Sequence, residues 1–124
     1  MKRAGFTMIE LIFVIVILGI LAAVAIPKLS ATRDDAKASK AAANLATYIT
    51  DIGADYTAKG TLTLTASNVS LATDGCFTAA ASGTTGVTIA ADGANKTTAG
   101  CVKAITLAGT NVGTHTFGGA SVTY

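Results

Sequence analysis

One acid stands alone in an apolar stretch. Between Phe6 and Ile26 lie 21 residues, and Glu10 is the only ionisable side chain among them. A carboxylate in such surroundings needs a positive or hydrogen-bonding partner, because removing it from water without one is costly. A cut between Gly5 and Phe6 would create that partner. The new Phe6 ammonium would lie four residues before Glu10, within helical reach, and would be equally available to Glu10 of another copy. The acid would also occupy the first turn of the helix, where the dipole favours negative charge. A second cut is written into the same stretch. Ala23-Val24-Ala25 fits the cleavage pattern of an ordinary export signal, and that cut would free a soluble secreted protein beginning at Ile26.

The other chemistry-bearing residues form no constellation. Cys76 and Cys101 are the two cysteines, and behind an export segment they read as one disulfide in an oxidising compartment. The alternative is a pair of free buried thiols. His115 is the only histidine and has no nucleophile or carboxylate near it in sequence. Two cysteines and one histidine do not make a four-ligand zinc site. Asp92-Gly93-Ala94-Asn95 has too few oxygen ligands for a calcium loop and reads as a turn. No glycine loop is followed by the Lys-Ser/Thr pair that cradles phosphate. The expectation is a protein without catalytic residues, metal or cofactor.

The elements that must position Glu10 come next. At about 1.5 Å per residue the 6–26 stretch spans roughly 31 Å as a helix, close to the hydrocarbon thickness of a bilayer. Lys2 and Arg3 precede it and predict that this end stays cytoplasmic, with everything beyond Ile26 on the far side. They also account for the net charge of +2, so no nucleic-acid footprint remains. Gly19 and Ala23 have the spacing that lets helices approach closely.

From Lys28 to about Ala58 helical signals continue with charges on one side. Leu29, Ala36, Ala43, Ala46 and Ile49, with Leu45, Ile52 and Tyr56, are expected to form the apolar face. Lys59-Gly60 suits a helix end. Beyond Gly60 the chain turns to Thr, Ala, Gly and Ser. Thr61–Thr65 reads as a loop or edge segment, and strands are expected at Gly86–Ala91, Cys101–Leu107 and Thr114–Phe117, with a fourth at Ala120–Tyr124. Phe77, Val87, Ile89, Val102, Ile105, Leu107, Phe117 and Val122 are the core candidates. The fold class is α+β: a long N-terminal helix, its first half membrane-spanning, against a small antiparallel sheet of three to four strands.

Gly5-Phe6-Thr7-Met8-Ile9-Glu10-Leu11, with the apolar run and Ala25-Ile26-Pro27, resembles the N-terminus of type IV pilins and type II secretion pseudopilins. The resemblance covers about residues 1–30. It implies that a prepilin peptidase cuts between Gly5 and Phe6 and methylates the Phe6 amine. It implies that Glu10 pairs with the N-terminus of an adjacent subunit during assembly, and that Pro27 bends or locally melts the helix. The implied partners are further copies in a helical filament, minor pilins, and an inner-membrane assembly platform. The chain would then divide into a cytoplasmic leader at 1–5, a transmembrane and assembly segment at 6–26, an amphipathic helical half at 27–59, and a periplasmic β-rich domain with one disulfide at 60–124. A pilus and a secretion pseudopilus share all of these residues. In one respect the chain departs from the usual pilin pattern, because 23 residues follow Cys101.

Overall fold

The computed structural model describes residues 4–71 and 75–118. The chain divides into two compact units, Met1–Arg33 and Asp34–Tyr124. Helix α1, Met8–Lys59, contributes to both. It continues through Pro27, whose ring nitrogen has no proton to give the Ala23 carbonyl. Its end follows from its sequence: Gly60 takes φ +70° and donates its amide to the Tyr56 carbonyl at 2.7 Å.

In the first unit the large apolar side chains of α1 are exposed along its whole length, from Met8 and Ile9 to Ile26 and Leu29.

In the second unit α1 buries Ala38, Ala41, Leu45, Tyr48 and Ile52. The spacing of alternating threes and fours puts them on one face. This differs from the face expected from sequence: Leu45 and Ile52 are on it, Ile49 and Tyr56 flank it, and Ala36, Ala43 and Ala46 are exposed. Alanine occurs all round this part of the helix, so it carries little information about which side faces the core.

Against this face packs a three-stranded antiparallel sheet in the order β1-β2-β3. The strands are β1 (Phe77–Ser82), β2 (Gly86–Ala91) and β3 (Gly113–Thr116). Phe77 pairs with Ala91 and Ser82 with Gly86, while Gly86 pairs with Thr116 and Ile89 with Gly113. Phe77, Val87 and Ile89 point into the core. The alternate residues point outward, and the Thr88 and Thr114 hydroxyls meet there at 3.1 Å. The α+β class, with a long helix against a small antiparallel sheet, is therefore the observed fold. The residues expected to form a fourth strand, Ala120–Tyr124, lie outside the described residues, as does Val122.

One expected strand is a helix. Residues Ala99–Ala108 form α2 and bury Gly100, Cys101, Ala104 and Ala108. Val102 and Leu107, expected in the core, are 49% and 62% exposed. The reason is the set of small side chains, which lets α2 lie close to α1. A methyl group at Gly100 would come within 3.2 Å of the Lys37 side chain and 3.4 Å of the Asp34 carbonyl oxygen. Gly109, at φ +51°, ends the helix. Ile105 and Phe117 are partly buried at the edge of the core.

The segment after α1 forms no strand at Thr61–Thr65 and is tied down by side chains of the helix. Tyr48 donates its hydroxyl to the Leu64 carbonyl at 2.9 Å, and Ser67 donates to Asp51 at 2.6 Å. Burial pushes the Tyr48 hydroxyl pKa up. Cys76 and Cys101 are joined in a disulfide with both residues fully buried. It ties the start of β1 to the first turn of α2 across 25 residues of chain. Closing a loop of that length stabilises a fold by about 3.5 kcal/mol in the chain-entropy model.

Candidate processing and assembly site

Ala4, Gly5, Phe6 and Thr7 precede the first turn of α1 and are exposed, Phe6 at 90%. Among the described residues beyond its chain neighbours, no group lies within 4 Å of where a Gly5 side chain would begin. The Gly5–Phe6 peptide bond therefore lies in non-helical chain two residues before the helix, between two exposed residues.

Thr7 is the residue that starts the helix. Its carbonyl accepts the Leu11 amide at 3.1 Å, the first intrahelical bond. Its hydroxyl oxygen accepts the Glu10 amide at 3.3 Å. Glu10 returns the contact, its Oε2 accepting the Thr7 amide at 2.8 Å and the Thr7 hydroxyl at 2.9 Å. This is a capping box, two residues satisfying each other's otherwise unpaired donors at a helix start. In the uncut chain Phe6 has an amide in place of an ammonium, and the Glu10 carboxylate is held by Thr7. Glu10 stands out in the sequence by its charge, and Thr7 does not. The Ser/Thr-x-x-Glu spacing of Thr7-Met8-Ile9-Glu10 was the available signal.

Beyond the box, α1 is long and apolar enough near its N-terminus to cross a membrane. Residues 1–26 match the family model described as the prokaryotic N-terminal methylation motif. The chain carries the leader signature of type IV pilins and pseudopilins. That motif belongs to structural pilin-type subunits and not to an enzyme family. No curated protein and no solved structure matches the chain. Behind this signature the large apolar side chains of α1 are exposed.

The remaining residues considered for chemistry lie in the second unit. His115, on β3, has its Nε2 at 2.9 Å from the Asn111 carbonyl oxygen. Asp92 accepts a hydrogen bond from the Asn95 side chain at 2.8 Å, and its carbonyl accepts the Lys96 amide at 2.9 Å, so this segment is a turn closed on itself. Among the described residues no three His, Cys, Asp or Glu side chains gather to hold a metal ion.

Proposed function

We propose that the chain is the precursor of a filament subunit, cut between Gly5 and Phe6 by a prepilin peptidase and N-methylated at Phe6. The observation that carries this reading is the methylation motif over residues 1–26, with Gly5 and Phe6 exposed ahead of the helix and Glu10 in its first turn. The leader stays on the cytoplasmic side, where Lys2 and Arg3 hold it, and the folded unit is periplasmic. Cleavage supplies an ammonium at Phe6, and methylation keeps its charge. Glu10 then exchanges Thr7 for the Phe6 ammonium of a neighbouring copy, which sets the register of one helix against the next. The apolar side chains that are exposed along α1 pass from lipid into the centre of a helical filament, and Pro27 lets the helix bend there. An inner-membrane platform and related minor subunits take part in assembly. The filament is a type IV pilus or a type II secretion pseudopilus.

Intact mass of the mature chain tests the proposal. The expected product lacks Met1–Gly5 and carries one methyl group on Phe6. A product beginning at Ile26 would overturn it in favour of an ordinary secreted protein. Substituting Gly5 with a bulky residue is expected to leave the full-length precursor in the membrane.

A further inference from the structure

In the unit Asp34–Tyr124, Val102 and Leu107 are the large apolar side chains left exposed among the described residues. Both lie on α2, and both line one groove of about 400 Å³ between α2 and α1. Ala38 and Ser39 form its other wall, and the Lys103 ammonium and Asp35 carboxylate pair across its rim. Because these two charges offset each other, the groove has no net charge to attract a charged ligand. Its apolar residues call for a neutral surface of matching shape.

The same chain carries such a surface. Ala43, Ala46, Thr50, Ala54 and Thr57 lie on the face of α1 opposite its buried face and are all exposed. None is charged, although the outer face of a surface helix is ordinarily where charges collect. The two threonine hydroxyls are already occupied: Thr50 donates to the Ala46 carbonyl at 2.9 Å and Thr57 to the Gly53 carbonyl at 2.8 Å. Covering this face therefore strands no donor and separates no charge.

We propose that the groove between α1 and α2 of one copy receives the uncharged 43–57 face of α1 of a second copy. The two surfaces occupy different parts of the chain, so the contact is head-to-tail and repeats from copy to copy, as a filament requires. The contact adds to the pairing of N-terminal helices and does not replace it. The proposal rests on the filament reading.

The test uses the full chain assembled in its membrane, with the photoreactive benzoylphenylalanine in place of Leu107. The expected adduct has twice the subunit mass and maps to the tryptic peptide 41–59 of the second copy. An adduct on the apolar segment before Lys28, an adduct with a different protein, or no adduct in assembled filaments would each overturn the proposal while a Phe6 start still stands. An Ile26 start would remove the filament reading and this proposal together. As a second measurement, Leu107→Glu and Thr50→Lys should each lower filament yield about tenfold or more, the scale of one unpaired interfacial charge, with leader cleavage and Phe6 methylation unchanged. Combining them should restore much of the yield. Full yield from either single variant would refute the pairing.

Discussion

Thr7 and Glu10 close a reciprocal pair at the first turn of α1: Glu10 Oε2 accepts both the Thr7 amide and the Thr7 hydroxyl, and the Glu10 amide returns to that hydroxyl. The acid that stands alone in the apolar sequence thus has a partner three residues away before any second copy arrives.

Thr7→Val removes the hydroxyl and leaves the amide. Loss of a threonine cap is expected to speed amide exchange at the first turn, Met8–Leu11, by roughly 2- to 30-fold in detergent micelles. Unchanged exchange there would mean that the box does not hold the helix start.

Glu10→Leu is expected to insert into the membrane at least as well as the parent chain and to stop filament growth. The amount of subunit in sheared surface filaments, set against the membrane fraction, measures both. Filaments at the parental level would disprove the register role of Glu10.

Replacing Cys76 and Cys101 with alanine should cost the folded unit about 3.5 kcal/mol, the loop-closure contribution of a 25-residue span. For a unit of this size that is a fall in melting temperature of roughly 15–25 °C by circular dichroism. A fall of only a few degrees would show that the contacts of α2 with α1 suffice without the bond.

Tyr48 contributes a pH dependence. Burial raises its folded-state pKa above the unfolded value, so its stabilising effect is complete below about pH 10 and is lost as pH climbs through the folded value. Melting temperature should therefore drop above about pH 10, and Tyr48→Phe should flatten that drop. At neutral pH the same variant should cost about 1–2 kcal/mol, because the Leu64 carbonyl loses its donor. An identical alkaline drop in the variant would point to other groups.

The segment that matches the methylation motif was legible in the sequence because it rests on contrast: one acid in 21 residues is conspicuous without coordinates. So was the end of α1, where Lys59-Gly60 joins a basic last turn to a residue that tolerates positive φ. The helix face was not legible, since alanine at positions 36, 43 and 46 resembles alanine at 38 and 41 until something packs on one set. Residues 101–107 misled for a related reason. Their larger side chains, Val102, Ile105 and Leu107, suggest a strand, whereas the small ones at 100, 101, 104 and 108 decide the packing. Strand β1 went unrecognised because Phe77-Thr78-Ala79-Ala80-Ala81-Ser82 has little intrinsic strand preference, and its pairing with β2 supplies what the residues do not.

The outward face of the sheet also decides how the unit responds to its medium. Across β1, β2 and β3 the one ionisable side chain is His115, which alternates with the exposed Thr114 and Thr116 and so lies on the inner side. The outer side offers only hydroxyl and methyl groups. Salt screens interactions between charges, and this face has none to screen. Charge screening thus leaves its contacts untouched, and the salts that act on it are the excluded ones, such as sulfate, which favour covering its methyl groups.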